Sequence, residues 1–333
     1  MEDFSNSGIV KIIKERCIRE KFSKSLCSDC QDVCIANAIS LSSAGILIEH
    51  SLCIRCGLCY AACKFSAIDI RRNDTALIKL SQGEQNIDIG CIFSNSKIKI
   101  SCVSRLTEGV LINWFMHSKN ITIHKGNCKK CKFSKTITFF TNSLKKACIL
   151  AKSMNIKPTL KIKTDKSSAV HIPKDLISRR NLLNVIKSKK EKPKRVMLAQ
   201  EISGKIEKDI VYPDIALISI SNECNLCGIC EHICPVNAIF IDKKERSASL
   251  YFNPSLCINC LECQRACTHQ AISFQKHSTV LFNKKPYEAF TAKKKICTVC
   301  KKEFFSNDNG SICPLCSQKK ARSKDLMDFF KEI

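Results

Sequence analysis

The chain has 333 residues, among them 25 cysteines, and a formal net charge of +25 at pH 7. So many cysteines are typical either of a secreted protein held together by disulfides or of an intracellular protein loaded with metal. The first residues do not begin a secretory signal, and no apolar run approaches the roughly 18 residues that a membrane span needs. We therefore expect a cytoplasmic protein without a membrane span, in a cell or compartment with little oxygen.

The first block, residues 1–75, opens with isoleucines at near-helical spacing among basic residues, which predicts a helix from Ile9 to Phe22. A complete Cys-x2-Cys-x2-Cys-x3-Cys run lies later in this block, at Cys53, Cys56, Cys59 and Cys63. A shorter run precedes it, at Cys27, Cys30 and Cys34. Alignment of the two runs puts Lys24 where the shorter one needs another cysteine, and Cys17 is the obvious substitute.

Residues 86–150 are predicted to form a small α/β unit, with strands at 97–103 and 120–124 and a helix at 107–117. Its cysteines lie near the strand ends, where ligands collect in α/β units: Cys91, Cys102, Cys128 and Cys131. A cysteine-rich core with one zinc or none is the alternative to a cluster. Cys148 is predicted to be buried in a helix.

Residues 151–214 are rich in lysine and interrupted by prolines, so we interpret them as a basic linker with some helix around 176–186. Arg179 and Arg180 resemble a twin-arginine export signal, but no apolar stretch follows them. An amphipathic linker helix with a basic face is the favoured interpretation.

The next block, residues 215–280, begins with an apolar strand at 215–220. Two complete cysteine runs follow it, Cys224, Cys227, Cys230, Cys234 and Cys257, Cys260, Cys263, Cys267. The tail, residues 290–333, carries two Cys-x2-Cys knuckles, Cys297 with Cys300 and Cys313 with Cys316. Paired knuckles predict a tetrahedral S4 site in a zinc ribbon with one zinc, although a rubredoxin-like iron would use the same ligands.

Four cysteines are followed, four and five residues later, by Ala-Ile: Cys34, Cys63, Cys234 and Cys267. Together with the three complete runs, this repeat is a 4Fe-4S signature. Each of the two blocks resembles, over about 55 to 60 residues, the bacterial dicluster ferredoxin family, whose short hairpins and helices wrap two cubanes. The expected fold is α+β, with two ferredoxin-like dicluster modules flanking the small α/β unit and the zinc ribbon at the C-terminus.

In the two-cluster arrangement, the fourth cysteine of each run ligates the other cluster. This predicts the C-terminal sets Cys224, Cys227, Cys230, Cys267 and Cys257, Cys260, Cys263, Cys234. The N-terminal block is expected to hold one complete set, Cys53, Cys56, Cys59 and Cys34. The second cluster of this block has Cys27, Cys30 and Cys63 as ligands, and Cys17 is the expected fourth ligand. The alternative is a 3Fe-4S or open-cornered cluster near Lys24.

The middle unit resembles the small delta subunit of methyl-viologen-reducing hydrogenase and heterodisulfide reductase complexes. That resemblance implies a 2Fe-2S cluster on Cys91, Cys102, Cys128 and Cys131. The cofactors expected in total are four 4Fe-4S clusters, this 2Fe-2S cluster and one zinc.

These features predict an electron-transfer protein that relays single electrons between oxidoreductases. The chain has no glycine-rich nucleotide loop and no nucleophile with a recognisable base, so we expect no substrate of its own. With four cubanes and two further tetrathiolate sites the net charge would still be about +13, which favours acidic redox partners. An accessory or maturation ferredoxin is the alternative, whereas nucleic-acid binding is disfavoured because few aromatics lie among the basic residues.

Overall fold

The computed structural model describes residues 10–42, 45–70, 74–83, 85–131, 136–165, 193–207, 212, 216–275, 285–317 and 319–320. These residues fall into two compact units, one within residues 1–213 and the other within residues 214–333. The helix predicted around 176–186, with Arg179 and Arg180, lies outside the described residues.

The first unit begins with short elements of the N-terminal cysteine block. They are β1 (Lys11–Ile12), α1 (Ile18–Lys21), α2 (Asp29–Asp32), β2 (Ile39–Ser42), β3 (Gly45–Ile48), α3 (Leu58–Ala62) and β4 (Ile68–Asp69). β1 pairs antiparallel with β4, and β2 pairs antiparallel with β3. β1 and β4 are therefore far apart in the chain, whereas β2 and β3 are close together.

The predicted helix from Ile9 to Phe22 is wrong. The described part of this segment contains strand β1, a 3-10 turn at Lys14–Arg16 and the single helical turn α1. Ile12 pairs with Ile68, and the N–H of Ile13 donates to the carbonyl of Ala67 at 2.7 Å, so the backbone here is used in strand pairing. The periodic isoleucines were misleading because a strand and a turn can bury the same side chains as a helix.

The rest of the first unit is an α/β sheet with helices. Its elements are α4 (Asp74–Gly83), β5 (Asn86–Cys91), β6 (Ile98–Ile100), α5 (Glu108–His117), β7 (Asn120–Lys125), α6 (Ile137–Ser153), β8 (Leu160–Thr164) and α7 (Lys194–Ile202). The sheet has the order β6-β5-β7-β8, and all its strand pairs are parallel. The predicted strands and helix of the middle unit are present as β6, β7 and α5, and the sheet continues through β8 into the segment interpreted as linker.

Buried β-branched residues build the centre of this sheet, as parallel strands require. Ile89 and Ile123 lie in register on β5 and β7, and both are fully buried. Trp114 on α5 is also fully buried, and its Nε1–H donates to the carbonyl of Leu77 on α4 at 2.9 Å. A Cβ on Gly90 would lie 2.4 Å from the carbonyl oxygen of His124, so only glycine allows β5 and β7 to approach this closely.

The second unit combines the C-terminal cysteine block with the tail. Its elements are β9 (Leu217–Ile220), α8 (Ile229–Ile233), β10 (Ile239–Lys243), β11 (Ser247–Phe252), α9 (Glu262–Ala266), β12 (Ile272–Gln275), β13 (Tyr287–Ile296) and β14 (Glu303–Ser306). β9 pairs antiparallel with β12. The hairpin of β10 and β11 continues into β13 and β14 as a four-stranded antiparallel sheet, which the sequence did not predict.

The mixture of helices and strands across the two units is an α+β architecture, as expected. None of the helices in the described parts of the chain combines the length and the apolar character that crossing a lipid bilayer requires.

Candidate metal centres

The repeated Cys-x3-Ala-Ile phrase has the same local structure at all four places. The alanine N–H donates to the Sγ of the cysteine four residues earlier, at 3.3 Å for Cys34 and Cys63, 3.2 Å for Cys234 and 3.4 Å for Cys267. The residue before each alanine has a positive φ: Asn37, Ser66, Asn237 and Gln270. The following isoleucine is buried and begins a strand, so the phrase turns the chain from a thiol into a strand.

The three complete runs share a second feature, a pair of left-handed residues around the second cysteine. Those before it are Arg55, Leu226 and Asn259, and those after it are Gly57, Gly228 and Leu261. The helices α3, α8 and α9 begin directly afterwards and carry the third cysteine. The chain therefore reverses twice within a few residues, which turns three thiols toward one point.

Neighbouring cysteines form six sets of four, called groups 1 to 6. Groups 1 to 3 are Cys17, Cys27, Cys30, Cys63; Cys34, Cys53, Cys56, Cys59; and Cys91, Cys102, Cys128, Cys131. Groups 4 to 6 are Cys224, Cys227, Cys230, Cys267; Cys234, Cys257, Cys260, Cys263; and Cys297, Cys300, Cys313, Cys316.

Groups 4 and 5 are interlocked in the second unit. Burial, and then the charges of the other three cysteines of group 4, raise the pKa of the Cys230 thiol to about 12. The pKa of Cys263 is raised by burial and then by the other members of group 5, and Cys230 adds to this effect. Each group thus takes one thiol from the neighbouring run, Cys267 or Cys234. Their role as cluster ligands stays a prediction.

Group 1 brings Cys17 next to the incomplete run. Burial, and then the charges of Cys63, Cys27 and Cys17, raise the pKa of Cys30 to about 12. Cys17 itself is only 5% exposed, and burial raises its pKa against hydrogen bonds from the backbone N–H groups of Glu20 and Arg19. Lys24, at the position of the missing ligand, is exposed to solvent.

The chain around Cys27 also lacks the two left-handed residues of the complete runs. In residues 10–42, Asn37 is the one non-glycine residue with a positive φ, and Ser28 has a φ of −129°. The loop at Cys27 therefore does not make the double reversal. Cys17 reaches the group from the turn before α1 instead.

Group 2 lies beside a largely apolar pocket with about 380 Å³ of empty space, counting the part open to solvent. Group 5 has an equivalent pocket of about 350 Å³. Corresponding residues line the two pockets, for example Ile54 and Ile258, or Ala38 and Ala238. Four thiols, N–H donors and an apolar wall are the surroundings that a 4Fe-4S cluster requires, so the residues of groups 2 and 5 fit such a cluster.

Three half-buried thiols, one each in groups 1, 2 and 5, are neutral at physiological pH without a metal. Burial raises the pKa of Cys27 to about 11 and that of Cys56 and Cys260 to about 12. Metal binding is what stabilises thiolates at such positions, because the ligands must be deprotonated.

Group 3 lies at one end of the parallel sheet. Burial raises the pKa of Cys128, and the other three cysteines of the group raise it further. The N–H of Gly126 donates to the Sγ of Cys91 at 3.2 Å, and the N–H of Ser104 donates to the Sγ of Cys102 at 3.4 Å. Backbone N–H groups thus donate to two of these four neighbouring thiols. Cys148, predicted to be buried on a helix, lies exposed on α6, so that prediction is wrong.

Group 6 is the most compact set, since its four sulfur atoms lie within 4.8 Å of one another. Hydrogen bonds from the N–H groups of Cys300 and Cys313 lower the pKa of Cys297 to about 6. The pKa of Cys316 is raised to about 12, and the hydrogen bond with Cys313 is the largest cause. Such an S4 set fits a tetrahedral metal ion.

A buried cation lies between groups 2 and 3, and no sequence pattern predicted it. Arg105, three residues after Cys102, is only 1% exposed. A Cβ on Gly57 would lie 3.4 Å from its Nε. Burial lowers the pKa of Arg105, and the nearby charges of Asp74, Tyr60, Cys56 and Cys102 oppose that effect.

Comparison with known families identifies ferredoxin-type domains at both blocks. The family described as "4Fe-4S dicluster domain" matches residues 223–271, and the family described as "4Fe-4S binding domain" matches residues 46–69. The chain thus carries two 4Fe-4S ferredoxin-type domains.

Individual relatives share only parts of the chain. "Formate hydrogenlyase subunit 2" of Escherichia coli K12 is 26% identical over 113 residues, which cover 32% of this chain and 49% of that protein. "Putative electron transport protein YsaA" of the same strain is 33% identical over 63 residues, 18% of this chain and 40% of that protein. The chain therefore spans less than half the length of these relatives. Iron–sulfur domains and this similarity support a role in electron transfer.

Proposed function

We propose that the protein relays single electrons between oxidoreductase partners through clusters held by groups 1 to 5. The observation that carries this proposal is the interlocking of groups 4 and 5, in which each run supplies one thiol to its neighbour. A cluster pair built in this way has its two members side by side, as single-electron exchange between them requires. The match of residues 223–271 to a dicluster domain supports the same assignment.

Groups 1, 2, 4 and 5 would each hold a 4Fe-4S cluster, with Cys17 as the fourth ligand in group 1. Group 3 would hold a 2Fe-2S cluster, and group 6 would hold a zinc ion that fastens the turn after β13. The position of Cys17 beside three other thiols, two of them buried, supports its assignment, as does the exposure of Lys24. The backbone donors to Cys91 and Cys102 support a cluster in group 3.

The partners would be acidic redox proteins in the cytoplasm. The formal net charge of +25 remains positive after thiolates and clusters are counted, and complementary charge steers encounters between redox proteins. The similarity to a formate hydrogenlyase subunit supports a place in a larger oxidoreductase assembly. All 25 cysteines are free of disulfides, as expected of a reducing compartment.

The decisive experiment is anaerobic purification with quantitation of iron, acid-labile sulfide and zinc. We expect about 18 Fe per chain, of which roughly 16 come from four cubanes, and about one Zn. Iron near 16 with the rest intact would remove the 2Fe-2S cluster from the proposal. A colourless protein without labile sulfide would contradict it entirely.

Repeated turnover separates an electron carrier from a maturation factor. The carrier should be reduced by dithionite and reoxidised by an artificial acceptor through many cycles without losing iron. A protein that transfers its clusters to an apo-ferredoxin, and does not survive repeated cycles, would instead be an accessory factor.

A further inference from the structure

The loops of groups 2 and 3 are joined directly within the first unit. The hydroxyl of Ser101, next to Cys102, donates to the carbonyl of Arg55, next to Cys56, at 3.2 Å. The side chain of Arg105 lies against Gly57, on the other side of Cys56. The ligand loop of one group is therefore packed on the ligand loop of the other.

The guanidinium of Arg105 is a full positive charge inside this joint. Arginine keeps its proton in proteins, and a charge in a low-dielectric interior acts more strongly on its neighbours than a charge at the surface does. Asp74 lies nearby, and its Oδ2 accepts a hydrogen bond from the hydroxyl of Thr107 at 2.5 Å. Burial raises the pKa of this carboxyl, and the charges of Lys194 and Arg105 oppose that effect.

We propose that Arg105 is a positioning residue whose charge couples groups 2 and 3 by stabilising an added electron on either of them. The inference rests on the proposed function, in which both groups hold clusters. Each cluster gains one negative charge on reduction, and a buried cation beside it makes that gain more favourable. Electrons would then pass between the N-terminal cluster pair and group 3 through the joint between Cys56 and Cys102.

The test is a redox titration of the anaerobic holoprotein, followed by electron paramagnetic resonance, for the wild type, R105M, R105Q and R105K. We expect R105M and R105Q to lower the reduction equilibrium constant of the group 2 cluster at least tenfold, about 59 mV for one electron. The signal of group 3 should shift in the same direction, and R105K should stay within threefold of the wild type. Groups 4 and 5 serve as internal references and should not shift.

Arg195→Met is the matched control. Arg195 is also a buried arginine of the first unit, but its guanidinium lies 5.1 Å from the ring centroid of Tyr212. R195M should leave the group 2 potential unchanged. If removal of any buried positive charge were enough to change the potential, the group 2 potential would shift in both R105M and R195M.

The outcomes separate this inference from the proposed function. Unchanged potentials in R105M or R105Q with full iron content would overturn the inference, and so would equal loss of iron in R105M, R105Q and R105K, which indicates a purely structural role. Iron lost from R105M and R105Q but kept in R105K would support the charge. The wild-type iron and sulfide content tests the proposed function on its own.

Discussion

Groups 1 and 4 occupy equivalent places in the two ferredoxin-type blocks, yet they are built differently. In group 4, all three thiols of the leading run come from one loop that reverses twice, at Leu226 and Gly228. In group 1 that loop contributes only Cys27 and Cys30, and Cys17 approaches from a separate turn. The comparison teaches that the position of a thiol can be kept while the backbone that presents it is replaced.

A second difference concerns what surrounds each block. The N-terminal block is joined to an α/β sheet with its own apolar core, whereas the C-terminal hairpin is extended by β13 and β14. Short loops and the five-residue helices α8 and α9 present the cysteines of groups 4 and 5, so bound metal would supply part of the stability of the second unit. The α/β sheet of the first unit, by contrast, has an apolar core, and the cysteines of group 3 lie only at one end of it.

Removal of the metals should therefore have the largest effect, and an unequal one. Treating the reduced holoprotein with an iron and zinc chelator is expected to unfold the second unit and to leave the α/β sheet folded. Trp114 is the single tryptophan and is fully buried on α5 of the first unit, so its fluorescence should stay blue-shifted while circular dichroism loses the strand signal of the second unit. Red-shifted emission after chelation would mean that the sheet also depends on metal.

Substitution of Cys17 should have the next largest effect. C17S would remove the proposed fourth ligand of group 1, so we expect loss of about one Fe of roughly 18 and a 3Fe-4S signal in the oxidised protein. C224S is the counterpart in group 4 and should give the same signature. C148S is the control, because Cys148 is exposed on α6, and it should keep all its iron. Full iron content in C17S would assign the fourth corner to another ligand.

Adding K24C to C17S sharpens the contrast between the two blocks. Lys24 aligns with Cys224, but the chain between Lys24 and Cys30 lacks the left-handed residues that turn a first thiol inward. The double variant should therefore remain short of iron. Restored iron would show that the double reversal is not needed for a first ligand.

The cysteine spacing was sufficient to predict the two 4Fe-4S ferredoxin-type domains. Runs with two-residue gaps and the Ala-Ile phrase depend on local backbone geometry, and local geometry is what a sequence pattern encodes. The region around Ile12 was predicted wrongly because its partner, Ile68, is more than fifty residues away. Arg105 was missed for a related reason, since nothing in a single sequence distinguishes a buried arginine from an exposed one. The pairing of β11 with β13 is likewise a long-range contact.

The smallest expected effect tests the left-handed turn itself at equivalent positions of the two blocks. Gly57 and Gly228 follow the second cysteine with φ of 77° and 84°. A left-handed conformation costs a residue with a side chain about 1 kcal/mol, so G57A and G228A should each lower the melting temperature of cluster absorbance by about 2–4 °C. The effects should be alike, because a Cβ would find its nearest atoms at 3.4 Å and 4.0 Å, respectively. A much larger loss in G57A, with a shifted group 2 potential, would show instead that the contact with Arg105 tolerates no added atom.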